Sequence, residues 1–134
     1  NVARAVVDTN VIIYDYVEDS EFHSRAEEIL NSLDKRIIPA IVVYEFVWFL
    51  KGIGLKDMLR DVLEYLRNEK AEVVYDCPEN LKDAADLVMR EGLSLSEYKD
   101  MVILSHAIRG GIPLATFDKK LTKIAKKYGV EIIQ

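Results

Sequence analysis

Residues 41–50 read IVVYEFVWFL, with one carboxylate, Glu45, among nine apolar or aromatic neighbours. Hydrophobic period does not separate a buried strand from a buried helix in so short a run. A length of about three turns favours a helix over Ile41–Lys51, ended by Gly52 and Gly54. With a helix here, apolar strand patterns and helical patterns alternate along the chain. That alternation predicts a parallel sheet covered by helices on both faces. Glu45 then becomes a question of chemistry. An ionised Glu in apolar surroundings costs several kcal/mol unless it is paired or binds a metal. Either it escapes to the surface or the fold has a use for it.

Outward from this helix the pattern repeats. Ala5–Val7 reads as a buried strand ending at Asp8, followed by a short helix over Val11–Val17. A helix over Phe22–Leu33 has Ser20 as its candidate cap and Ala26, Ile29, Leu30 and Leu33 on one side. Arg36–Ile38 is a strand stopped by Pro39, and Leu55–Asn68 is an amphipathic helix. Ala71–Tyr75 is a strand, and Leu81–Arg90 a helix closed by Gly92. Ser94 to Glu97 forms a capping box that opens a helix running to Arg109. Pro113–Thr116 is a strand, Lys119–Lys127 a helix and Val130–Ile132 a last strand.

The 134 residues make one ordinary domain, half hydrophobic and about a third charged, with no repeat or linker. The single cysteine, Cys77, excludes an internal disulfide and suits a reducing interior, so a cytoplasmic location is expected. No run is long enough for a membrane span and no signal peptide is visible. The first residue is Asn1, so a short start is expected to be missing. A net charge of -5, from 18 basic and 23 acidic residues, argues against global attraction to nucleic acid. It conceals a basic segment, however: Lys119, Lys120, Lys123, Lys126 and Lys127.

In open parallel sheets, sites form at the carboxyl ends of the strands. Asp8 and Asp118 fall at such ends. On their helices, Glu45 shares a face with Ile41, Val42, Trp48 and Phe49, and Asp100 with Ile103, Leu104 and Ala107. Stripes facing the sheet would bring both acids towards it. Carboxylates meeting there repel one another unless a cation joins them, and oxygen-only ligation suits Mg²⁺ or Mn²⁺. Each acid also has an ordinary explanation. Asp118 fits a helix N-cap, Asp8 an Asx turn, Asp100 an answer to the helix dipole, and Glu97 a capping-box partner.

Four segments together, VVDTNVII near the start, Glu45 in VVYEFV, Asp100 in KDMVILSHAI and Asp118 in LATFDKKL, resemble the PIN-domain family of metal-dependent ribonucleases. The likeness is greatest to its small VapC-like toxin branch. It runs in order along nearly the whole chain. It implies a three-layer α/β/α sandwich with a central, mainly parallel sheet and an acidic pocket at its strand ends. It implies Asp8, Glu45, Asp100 and Asp118 as the shared acidic set, with Thr9, Asn10 and Thr116 holding the acids in place. Asp8, Asp100 and Asp118 would hold or orient the metal, and Glu45 would be a ligand or a water-positioning base. Two positions depart from the pattern. Phe117 stands where the family often has Asn or a similar polar residue, which bears on the support of Asp118. Tyr98-Lys99 precedes Asp100, where the lead-in is commonly more apolar or contains Pro. Lys99 could aid phosphate binding or be simply solvated.

Phosphodiester hydrolysis at such a site needs an activated water and relief of charge on the phosphate, both of which Mg²⁺ supplies. His106 is expected in core or rim packing, His23 at the surface, and Cys77 has no metal spacing. Two other classes compete with hydrolysis. A PIN-like RNA-binding or scaffolding module would lack cleavage. An aspartate-based phosphotransfer domain also places acids at strand ends. However, Asn10 stands where the haloacid dehalogenase pattern needs a second Asp, and Lys119 follows Asp118 too closely for a receiver domain. Lys119, Lys123 and Lys126 are expected to touch RNA. Because the helix around Glu45 is apolar nearly all round, a second subunit or an antitoxin segment is expected to cover part of it.

Overall fold

The computed structural model describes residues 3–54 and 56–134. The Leu55 start of the amphipathic helix predicted over Leu55–Asn68 lies outside these residues. Among them, five strands form one wholly parallel sheet. Strand β1 (Arg4–Val7) is central, with β2 (Lys35–Pro39) and then β3 (Ala71–Val74) on one side and β4 (Leu114–Ala115) and β5 (Ile132–Ile133) on the other. Ala5, Val6 and Val7 are fully buried, as a strand covered on both faces requires.

The helices are α1 (Thr9–Tyr16), α2 (His23–Ser32), α3 (Ala40–Gly52), α4 (Leu59–Arg67), α5 (Pro78–Arg90), α6 (Tyr98–Gly110) and α7 (Lys119–Lys127). Parallel crossovers are right-handed. The chain moves one way from β1 to β3, which puts α1 to α4 on one face. It then doubles back past β1 to β4 and β5, which puts α5 to α7 on the other. The three-layer sandwich follows. The order reverses between β1 and β4, and the crevice at their carboxyl ends is the place where such sheets bind ligands.

The 41–51 run is helical, as its length predicts, but its inward face is not the expected one. Val42, Phe46 and Leu50 form the buried stripe, and Phe46 meets Tyr16 of α1 and Tyr65 of α4 edge-on, each at 5.4 Å. Trp48, predicted beside Glu45 on the sheet side, is 61% exposed. Glu45 therefore enters the interior from the edge of the stripe. Apolar residues surround this helix, so period could not rank its faces. The packing of α1 and α4 on Phe46 ranks them.

Several boundaries also differ. Helix α1 begins at Thr9 rather than Val11, because Asp8 caps it. Ser20 is not the cap of α2. Its hydroxyl donates to the Tyr14 carbonyl at 3.0 Å, and Phe22 takes the cap position without a side-chain bond. Helix α5 starts at Pro78, three residues ahead of Leu81, because Cys77 and Asn80 form a capping box. The predicted box of Ser94 and Glu97 is present and opens a 3₁₀ turn, Leu95–Glu97, that leads into α6. A 3₁₀ turn over Lys56–Met58 precedes α4. No helix among the described residues is long and apolar enough to cross a membrane.

Candidate active site

Asp8 follows the last residue of β1, and its amide donates to the Ala115 carbonyl of β4 at 3.0 Å, which fixes the two strand ends together. Its side chain is almost wholly buried and accepts three hydrogen bonds. Oδ1 accepts from the Thr9 amide at 2.7 Å; Oδ2 accepts from Thr116 Oγ1 at 2.7 Å and Asn10 Nδ2 at 3.2 Å. Burial pushes its pKa up to about 6; the hydrogen bonds from Thr116 and Thr9 oppose that, and Glu45 and Asp118 add to it.

Thr9, Asn10 and Thr116, expected as supporting residues, each hydrogen-bond within this acidic cluster. Thr9 donates from its hydroxyl to Glu45 Oε1 at 2.7 Å and so ties α1 to α3. Asn10 Oδ1 accepts from the Phe117 amide at 3.1 Å. Thr116, fully buried, donates to Asp8 while its oxygen accepts from the Asp118 amide at 3.0 Å. Asp118 caps α7 by accepting from the Leu121 amide at 2.9 Å. The capping explanation of Asp118 therefore holds, and the same side chain also lines the acidic pocket. Phe117 leaves this support intact and turns its ring away to stack on Phe22 at 5.0 Å.

Asp100, in the first turn of α6, is half-buried, and no protein donor among the described residues reaches its carboxylate. Burial raises its pKa to about 7, with Asp8, Glu45 and Asp118 adding to the rise and Lys99 opposing it. The helix dipole alone does not account for a carboxylate in this setting, because the first turn favours the charged form. Asp8, Thr9, Asn10, Ile13, Glu45, Lys99, Asp100 and Asp118 line one open pocket of about 280 Å³.

Lys99 is the residue whose place the sequence left open. Its ammonium pairs with Glu45 Oε2 while its side chain stays half exposed to solvent. The available signal was its position next to Asp100 in the sequence, but the partner lies 54 residues away. His106 packs at the rim as expected, bound to Asp76 Oδ1 at 2.6 Å. His23, expected at the surface, is half-buried and bonded to the Tyr14 carbonyl at 3.0 Å. A larger groove of about 800 Å³ lies between α1, α2 and α4. Two of its acids are taken by tyrosines: Asp15 by Tyr65 at 2.5 Å and Asp61 by Tyr16 at 2.6 Å.

The donor set suits a hard cation, since every acidic ligand candidate offers oxygen and, among the described residues, both oxygens of Asp100 lack a protein donor. The acids are not drawn into a closed cage, however. Among the described residues no three of His, Cys, Asp or Glu are disposed to hold one ion jointly. Magnesium tolerates that arrangement, because it usually keeps several waters and takes only one or two carboxylates directly.

An all-parallel α/β/α sandwich with four acids round the crevice where strand order reverses defines the class of the domain. The chain belongs to the PIN domain family, whose sequence profile matches residues 5–127. Solved structures of similar fold include VapBC2 of Rickettsia felis bound to a DNA fragment from their promoter. The identity there is 19% and the TM-score 0.70, over 97% of this chain and 97% of that one. FitAcB of Neisseria gonorrhoeae is 18% identical with a TM-score of 0.68, over 97% and 96%. PAE2754 of Pyrobaculum aerophilum is 20% identical with a TM-score of 0.62, over 98% and 83%. No curated protein matches the sequence.

Proposed function

We propose that this PIN domain is a Mg²⁺- or Mn²⁺-dependent endoribonuclease and the toxin of a toxin–antitoxin pair. The observation that carries the reading is the pocket itself. Asp8, Glu45, Asp100 and Asp118 face one crevice at the ends of β1 and β4, and Asp100 has no protein donor among the described residues. Asp8, Asp100 and Asp118 would hold the ion or its waters, and Glu45 would bind it or position the attacking water. A bound divalent ion supplies an activated water and neutralises charge on the phosphate. Thr9, Asn10 and Thr116 orient the acids, and three hydrogen bonds fix Asp8 while Oδ1, which among the described residues accepts only from the Thr9 amide, keeps a lone pair for the ion or its water.

Lys119, Lys123 and Lys126 support the substrate class. They lie on one stripe of α7, which Asp118 caps, and no carboxylate pairs with them among the described residues. Lys120 and Lys127 are held instead by Glu97 at 2.9 Å and Glu91 at 3.0 Å. The free stripe is a track for RNA phosphates leading to the acids. A cytoplasmic homodimer with an inhibitory protein partner accords with the VapBC2 and FitAcB folds and with the exposed Tyr44 and Trp48.

A catalytically silent RNA-binding module is the second reading, favoured by one observation: Lys99 already occupies Glu45. One experiment separates the two. Structured and unstructured RNAs are incubated with the protein and with Asp8→Asn, with chelator, Mg²⁺ or Mn²⁺. Cleavage that needs metal and Asp8 establishes the nuclease; binding without cleavage in any condition establishes the silent module.

A further inference from the structure

We infer that Lys99 is a positioning residue that competes with the divalent cation for Glu45 and so sets the metal affinity of the pocket. The inference rests on the metal-dependent reading above. Lys99 sits in the first turn of α6, where the helix dipole disfavours a positive charge. Its position is offset by Glu45, which reaches it from α3. Among the eight residues that line the pocket it is the single cation, against four carboxylates.

The geometry makes the competition direct. The Glu45 side chain is only 12% exposed, and both oxygens are engaged: Oε1 by the Thr9 hydroxyl and Oε2 by Lys99. Each oxygen keeps a second lone pair, but an ion drawn to Glu45 meets the like charge of the ammonium on Oε2, so the two cations compete for the carboxylate. Thr9 is buried and its place is fixed, because its amide bonds Asp8. The Lys99 side chain is 48% exposed, on a flexible stem with open solvent beside it. Lys99 is the partner that leaves. Its neighbour Asp100, which has no donor among the described residues, is where an ion gains most. The pair therefore has two arrangements, ammonium on Glu45 or ion in the pocket, and the lysine lowers affinity by favouring the first.

The test is Mn²⁺ binding, by calorimetry at pH 8 after stripping with chelator, to the wild type, Lys99→Gln, Lys99→Arg, Glu45→Gln and the Glu45→Gln/Lys99→Gln double variant. Lys99→Gln is expected to bind Mn²⁺ on the order of tenfold tighter, within the usual range of coupling between two ligands of one site. Lys99→Arg keeps the charge and should stay near the wild type. In the Glu45→Gln background, Lys99→Gln should gain less than about threefold, because the competition needs Glu45. In chelator, Lys99→Gln should melt below the wild type, and Mn²⁺ should close the gap. Equal or weaker Mn²⁺ binding by Lys99→Gln overturns the inference. A full tenfold gain in the Glu45→Gln background also overturns it, by showing a general charge effect. Wild-type protein that binds Mn²⁺ without cutting RNA would sink the nuclease reading and leave this one standing. Failure of the wild type to bind Mn²⁺ at all would sink both.

Discussion

Thr116 Oγ1 donates to Asp8 Oδ2 at 2.7 Å, across 108 positions of sequence, and the same oxygen accepts from the Asp118 amide at 3.0 Å. One buried hydroxyl thus joins the first and last acids of the pocket. Thr116→Val keeps the shape and removes the bond. It should cost about 1–3 kcal/mol in urea unfolding, because it leaves the Asp118 amide without its partner and Asp8 Oδ2 with only the Asn10 bond. Thr116→Ser should recover most of that. Equal stability of Val and Ser variants would show that the hydroxyl contributes only volume.

Asp100→Asn tests whether the acids strain one another. Two carboxylates about 4 Å apart repel by about 4 kcal/mol at an effective dielectric near 20. At pH 8 in EDTA the Asn variant should therefore melt higher than the parent. Mg²⁺ should narrow or reverse the gap, since the ion stabilises only the intact site. Cleavage should be lost throughout. A lower melting point for the Asn variant, insensitive to Mg²⁺, would mean that Asp100 stands outside the cluster.

Stability should fall with rising pH in chelator. Asp8 and Asp100 have folded pKa values raised to about 6 and about 7 from an ordinary 3.8. Between those limits the folded chain binds more protons than the unfolded one, so the slope of unfolding free energy with pH is negative. The stabilisation is complete below about pH 4 and lost as pH passes through 6 and 7. For the buried Asp8 alone this amounts to on the order of 3 kcal/mol. Thermal melts from pH 5 to 8 should show the decline in EDTA and a flatter profile in saturating Mg²⁺, which displaces the protons. A profile in EDTA that rises over this range would contradict both shifts.

Replacing Lys123 and Lys126 with Gln should weaken RNA binding and reduce its salt dependence. Each phosphate contact on a single strand contributes about 0.7 to the logarithmic slope, so losing two should flatten it by about 1.4. The same change at Lys120 and Lys127, already paired with Glu97 and Glu91, should have a smaller effect. An unchanged slope in the first variant would remove α7 from the RNA track.

Tyr44 and Trp48 are 55% and 61% exposed one turn apart on α3. A homodimer that covers them should appear by sedimentation at tens of micromolar, and Trp48→Lys should shift it towards monomer. A wild-type monomer at that concentration would exclude the dimer.

The sequence by itself determined the alternation of strands and helices, because Ala5–Val7, Ile37–Ile38 and Leu114–Ala115 are apolar runs too short for a helix and suited to a sheet buried on both faces. It also marked the candidate acids, since Asp8 and Asp118 end strands and Glu45 is costly wherever it is not used. The capping box of Ser94 and Glu97 was legible because its partners are three residues apart. The cap on α2 was misread because Ser20 had a closer use, the Tyr14 carbonyl. Only the tertiary structure decided which side of α3 faces inward, which lysines of α7 are paired, and that Lys99 holds Glu45. Each of these depends on groups far apart in sequence meeting in one place. Local period and propensity carry no information about such meetings: an apolar stripe on every side of a helix, or a lysine at the rim of an acidic pocket, acquires its role from what packs against it.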